Sequence, residues 1–220
     1  TWFVPAADLL SEFVACGISR EKLLATGIPV KRAFYDLTER AEARRRLGLP
    51  EDKRILLLCC GSMGCGHIEK EVPLLDRRMP PQVLTVVVCG NNRALYEKLT
   101  KTPVDGVQVV GFTQEMPLYM AAADICVTKP GGLTCTELLV SGCPAVLLLA
   151  VPGCESRNLD YFSRTYGTPG AADWSSALNK ALALLEEPER LRKLTGRLAA
   201  GRIAVPAAVA MTERLLADGE

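Results

Sequence analysis

At 220 residues, with 49% hydrophobic and 23% charged positions, the chain can fill one well-buried core but is short for a typical two-domain enzyme. No stretch approaches the about 18 consecutive apolar residues of a membrane-spanning helix, and the composition excludes a disordered chain. Its 26 basic and 25 acidic side chains nearly cancel, so no extended nucleic-acid surface is announced. In chain order, residues 6–16 read as a helix stopped by Gly17, and Gly27-Ile28-Pro29-Val30 as an extended link between two structural units. Residues 39–47 read as a charged helix in which Glu42 and Arg46 are spaced for an ion pair and Arg44-Arg45-Arg46 form a solvated face. Strands are predicted at 55–60, 83–89, 107–110, 125–128 and 145–149, alternating with helices at 68–78, 93–100, 114–122, 135–141 and 159–166. These strands are continuously apolar, as expected where both faces of a parallel sheet are covered. After Asp173 the chain reads as helical, with a segment at 177–185, a break at Glu187-Pro188 and further helices beyond. The fold class is therefore α/β, a doubly wound parallel sheet followed by C-terminal helices.

The nine cysteines are odd in number and lack paired metal spacing, which reads as a reducing, cytoplasmic setting. One histidine, His67, excludes a His-rich zinc site and leaves a single base for any Ser-His or Cys-His mechanism. The start at Thr1, with neither methionine nor signal peptide, is expected of a fragment or a processed product.

Three turns, each after a predicted strand, hold the residues suited to chemistry. Gly61-Ser62-Met63-Gly64-Cys65-Gly66 runs G-x-x-G-x-G, not the dinucleotide order G-x-G-x-x-G, and His67 stands where a P-loop has lysine. Gly61, Ser62, Gly64 and Gly66 either let backbone approach a phosphate or sugar closely or form a tight strand-to-helix turn. In Thr128-Lys129-Pro130-Gly131-Gly132-Leu133-Thr134-Cys135-Thr136-Glu137, a helix N-terminus offers amide groups to a diphosphate. Glu137 there is either an acceptor for two ribose hydroxyls or, with Thr134, half of a capping box. In Val151-Pro152-Gly153-Cys154-Glu155-Ser156-Arg157-Asn158, Glu155 and Asn158 share a helix face and either hold sugar hydroxyls or belong to a polar helix start capped by Ser156 or Glu155. No Asp-x-Asp motif is present, so diphosphate charge falls to helix dipoles and Lys129, and no metal or other cofactor is called for.

These turns, in order with Gly27-Ile28-Pro29-Val30, Gly90-Asn91-Asn92, Gly111-Phe112-Thr113 and Met120-Ala121-Ala122-Ala123-Asp124, resemble the monogalactosyldiacylglycerol synthase and processive diacylglycerol glucosyltransferase group. The peptidoglycan N-acetylglucosaminyltransferase is a more distant likeness. The resemblance implies the C-terminal, donor-binding half of a two-domain, Rossmann-like inverting glycosyltransferase that moves a hexose from a UDP-sugar to a lipid acceptor. It implies that residues 1–26 are the tail end of an N-terminal acceptor domain, 27–54 an interdomain crossover and entry helix, 55–186 the donor-binding domain and 187–220 C-terminal helices. It assigns uracil to Phe112 and Thr113, and the diphosphate to Gly61, Ser62, Gly64, Gly66, Gly131, Gly132, Leu133 and Thr134. The ribose falls to Glu137 and the sugar hydroxyls to Glu155 and Asn158. The catalytic base and lipid surface are expected in a missing N-terminal domain or partner subunit, with peripheral membrane contact in the whole enzyme.

Three departures from the family pattern stand out. Cys60 replaces a common glycine, Cys154 replaces a frequent glutamine, which predicts one donor contact fewer, and 166–173 is poor in strand formers, which predicts loss of the sixth strand. His67, placed like a substitute base, is read as structural or phosphate-neighbouring. Other readings are a stand-alone cytosolic subunit, similar in arrangement to the split dolichol-linked N-acetylglucosaminyltransferase, and a non-catalytic nucleotide-sugar-binding module.

Overall fold

A computed structural model describes residues 1–36, 38–59, 68–148, 153–202 and 205–218. The chain opens with β1 (Trp2–Val4), α1 (Leu10–Ala15) and β2 (Leu23–Ala25), followed by α2 (Arg40–Leu47), β3 (Arg54–Cys59), α3 (Ile68–Glu71), α4 (Leu75–Arg78) and β4 (Val83–Val88). It continues through α5 (Arg93–Lys101), β5 (Val107–Val110), α6 (Met116–Ala122), β6 (Ile125–Thr128), α7 (Gly132–Ser141) and β7 (Ala145–Leu148). The last elements are α8 (Cys154–Tyr166), β8 (Gly170–Ala171), α9 (Trp174–Glu186), α10 (Pro188–Ala200) and α11 (Ala207–Asp218).

Six strands form one parallel sheet in the order β5-β4-β3-β6-β7-β8, while β1 and β2 pair in parallel as a separate two-stranded sheet. Leu57 of the central β3 is in register with Val86 on one side and Cys126 on the other. The alternation of a strand sends Ile55, Leu57 and Cys59 to one face, packed with α6 and α7, and Leu56 and Leu58 to the other, packed with α9. Both faces are sealed, which is why the strands carry no polar alternation. The order reverses between β3 and β6, so the crevice beyond the carboxyl ends of these two strands is the place where such a sheet takes a ligand.

The sixth strand does form, contrary to expectation: Gly170 and Ala171 pair with Leu147 and Leu148. Two residues suffice because β7 supplies the ladder and the strand need not hold itself together. The helix expected over 68–78 is interrupted by a 3-10 turn, Val72–Leu74, since Pro73 has no N–H to donate and disfavours helical geometry in the residue before it. The helices read as 135–141, 159–166 and 177–185 each begin earlier, at Gly132, Cys154 and Trp174. For α9 the reason is Asp173, whose carboxylate accepts a 2.7 Å bond from the Ser176 N–H and caps the helix.

The arginine run also differs from its reading as a solvated face, because Arg44 is buried. Its Nη2 donates to Asp124 at 2.7 Å, its Nε to the Ala122 carbonyl, and its Nη1 to the carbonyls of Glu51 and Lys53. Asp124, itself 1% exposed, also accepts from the Ile55 N–H at 2.7 Å and pairs with Arg40 and Arg54. This network ties α2 to the amino ends of β3 and β6. Glu42 pairs with Arg45 at 2.7 Å, three residues on, instead of with Arg46. None of the seven described cysteines is joined in a disulfide, and among the described residues no helix is long and apolar enough to cross a membrane.

Candidate functional site

Beyond the carboxyl ends of β3, β4 and β5 lies a cavity of about 160 Å³ lined by Cys59, Val88, Gly90, Phe112, Thr113, Met116, Met120, Thr134 and Glu137. Four of the residues singled out in the sequence, Phe112, Thr113, Thr134 and Glu137, thus converge from two separate segments. Phe112, 65% exposed, stands at the rim just past β5, and the Thr113 hydroxyl accepts a 3.0 Å bond from the Glu115 N–H, which shapes the turn into α6. Thr134 and Glu137 stand three apart on α7, hence on one helix face.

Glu137 does not cap its helix. The cap position belongs to Gly131, so Thr134 already lies in the first turn and Glu137 in the second, out of reach of a capping box. The carboxyl is half-buried, and that burial pushes its pKa up from 4.5 to about 7, with the Lys31 cation pulling the other way. A carboxylate kept partly dry in a cavity is chemically suited to accept hydrogen bonds from hydroxyl groups. At the floor, Cys59 Sγ lies 3.6 Å from Cys126 Sγ, and this contact holds the Cys59 thiol below its ordinary range despite burial.

The second turn continues from β6 into α7. Gly131 N–H bonds to the Lys129 carbonyl at 2.9 Å, and the helix ladder starts with Cys135 N–H on Gly131 at 2.8 Å. The amides of Gly132, Leu133 and Thr134 precede the first residue that can find an acceptor in the helix, and they point outward from its positive end. Leu133 is 58% exposed, and Gly132 is in close contact, since a Cβ there would sit 3.2 Å from Ile28 Cδ1.

The third turn enters α8 through Gly153, whose φ of +107° and ψ of −117° are essentially glycine-only. Ser156 caps it, its Oγ accepting from the Gly153 N–H at 3.1 Å and donating to the Gly153 carbonyl at 2.8 Å. Glu155 is half-buried and near enough to α7 to help raise the Cys135 thiol to about 12, the larger cause being burial of that thiol. Asn158 Nδ2 donates to the Pro130 carbonyl at 2.8 Å, linking the third turn to the second. Asn158 and Gly132 face a larger cavity of about 710 Å³ between α7, α8 and the N-terminal segment, to which Tyr161 of α8 is joined by a 3.0 Å bond to Asp8. Gly61, Ser62, Gly64, Gly66 and His67, with Cys60, Val151 and Pro152, lie outside the described residues.

Sequence reasoning missed Lys31, Cys59, Met116 and Met120. The two methionines carry a readable signal, a spacing of four on α6 that puts both on one face. Lys31 and Cys59 carry none, since only tertiary packing brings Cys59 to the cavity and the Lys31 charge within range of Glu137. Asn92 of the Gly90-Asn91-Asn92 motif caps α5, its side chain accepting from the Leu95 N–H at 3.0 Å. Among the described residues no three His, Cys, Asp or Glu side chains converge to hold a metal ion.

The parallel sheet with its crevice beyond β3 and β6 is the fold of the C-terminal domains of two-domain glycosyltransferases and their structural relatives. A UDP-N-acetylglucosamine 2-epimerase structure superposes with TM-score 0.69 at 16% identity, over 99% of this chain and 57% of that one. The Anabaena Alr3699/HepE structure, solved in complex with UDP and glucose, gives 0.63 at 17%, over 97% of this chain and 62% of that one. Residues 55–153 match the Glycosyltransferase family 28 C-terminal domain. The processive diacylglycerol beta-glucosyltransferase of Staphylococcus saprophyticus is 32% identical over 213 residues, covering 92% of this chain and 52% of that protein. The chain is thus homologous to these glucosyltransferases and spans about half the length of the curated relatives it matches.

Proposed function

We propose that this chain is the donor-binding half of an inverting glycosyltransferase that moves a hexose from a UDP-sugar to a lipid acceptor such as diacylglycerol. The observation that carries the reading is the convergence of Phe112, Thr113, Thr134 and Glu137 on one cavity at the reversal of strand order. In this reading Phe112 and Thr113 hold the uracil and Glu137 the ribose. The diphosphate lies against Gly61, Ser62, Gly64 and Gly66 and the turn of Lys129, Gly131, Gly132, Leu133 and Thr134. Glu155 and Asn158 meet the sugar.

Departure of UDP from the anomeric carbon leaves negative charge on the diphosphate, which the amides at the start of α7 stabilise without rearranging. The acceptor hydroxyl attacks from the opposite face and gives its proton to a base. That base is assigned to an N-terminal acceptor domain whose tail end is residues 1–26, joined through 27–54 to a donor domain of 55–186 and to C-terminal helices over 187–220. The separate β1-β2 sheet supports this division. The whole enzyme would work at the cytoplasmic membrane surface. Isothermal titration with UDP and UDP-glucose tests the reading: micromolar to millimolar binding is expected, and no binding of either rejects it.

A further inference from the structure

Asn158 has a neighbour that a simple sugar contact does not require. From this we infer that Asn158 is a positioning residue, holding the turn before α7 so that the amides at the start of that helix stay aimed at the diphosphate. The inference rests on the proposed function and adds a role that acts on the phosphate subsite from outside it.

Asn158 Nδ2 donates to the Pro130 carbonyl at 2.8 Å across 28 positions of sequence, joining the second turn of α8 to the loop that leads into α7. Pro130 is buried, so its carbonyl has little recourse to water and depends on this partner. The peptide unit holding that carbonyl also holds the Gly131 N–H, which donates to the Lys129 carbonyl at 2.9 Å. Because the unit is planar, fixing the oxygen fixes the plane, and with it the direction in which the chain enters α7. The next residue is held from the other side. A Cβ on Gly132 would lie 3.2 Å from Ile28 Cδ1 and 3.9 Å from Asn158 Nδ2, so the turn is gripped between the 27–30 link and α8. Unbonded amides at a helix end bind an anion well only while they point at it together. Asn158 supplies that alignment, and one of its two amide protons is committed to it, leaving its Oδ1 and one N–H for a sugar hydroxyl.

The test compares the parent chain with Asn158→Ala in two measurements. Titration with uridine, UDP and UDP-glucose separates the subsites, because uridine lacks the phosphates that the amides at the start of α7 would meet. Uridine affinity should be unchanged, and UDP and UDP-glucose should both weaken, by about five- to tenfold for one lost bond. Hydrogen exchange without nucleotide should show faster exchange over residues 129–134 and no change over 107–116. A variant that weakens UDP-glucose but not UDP would overturn the inference and leave Asn158 a sugar contact alone. Equal weakening of uridine, or unchanged exchange over 129–134, would overturn it as well. A parent chain that binds no UDP would overturn the proposed function and this inference together, so the two failures are told apart.

Discussion

Glu137→Gln separates the two costs that the Glu137 carboxyl carries. Its pKa stands at about 7 against an ordinary 4.5, because burial disfavours the charged form. The folded chain therefore keeps a proton that the unfolded chain gives up between these two values. Stability from this group is intact below 4.5 and falls as pH rises through about 7, above which the ionised carboxylate costs about 3 kcal/mol at about 1.4 kcal/mol per unit. Glutamine has the same shape and no charge to desolvate. The variant should match the parent near pH 4.5 and exceed it by up to about 3 kcal/mol at pH 8, read by urea denaturation at several pH values. Binding should move the other way. A carboxylate accepting two ribose hydroxyls contributes about 1 to 3 kcal/mol, so the more stable variant should bind uridine about 5- to 150-fold more weakly at pH 8. Uridine is the better probe because UDP has its own phosphate titration near the same pH. The parent's uridine affinity should climb between pH 6 and 8 as Glu137 ionises, while that of the variant stays flat. A stability difference that does not vary from pH 5 to 8, or equal uridine affinity, would refute the argument.

Other consequences are as direct. Asp124→Ala leaves the buried Arg44 guanidinium without its counter-charge and should destabilise the chain by about 3 to 5 kcal/mol, seen as a lowered denaturation midpoint. At temperatures where that variant is folded, uridine binding should be unaltered, since the network lies at the opposite edge of the sheet. Gly153→Ala forces a side chain into backbone angles it rarely adopts and should cost about 1 to 3 kcal/mol, again by denaturation, with α8 the element that loosens. The chain alone should form no glycolipid from UDP-glucose and diacylglycerol vesicles above the rate without protein. On the proposed reading, the base and up to about 7 to 11 kcal/mol of positioning come from an acceptor domain. Product from the isolated chain would count against the donor-half reading.

Local pattern alone was enough for the alternation of apolar runs with helical segments, and so for a doubly wound sheet, because a strand buried on both faces has to be apolar at every position. It was also enough to mark the turns after these strands as ligand-suited, since glycines leading into a helix expose amide groups whatever the rest of the chain does. Several features lay beyond it. Glu137 satisfied a capping pattern and a ligand-binding pattern equally well, and only the start of α7 at Gly132, three residues upstream of the predicted start, removed the first. Arg44 looked like its exposed neighbours, because the burial of a cation depends on an acidic partner that sits 80 residues away in sequence. Cys59 reaches the cavity, Lys31 comes within electrostatic range of Glu137, and Asn158 reaches Pro130 only when β3, α7, α8 and the link come together. Sequence spacing reports which residues share a face of one element. Distances between elements, and the dryness that shifts a carboxyl toward neutrality, exist only once the elements pack.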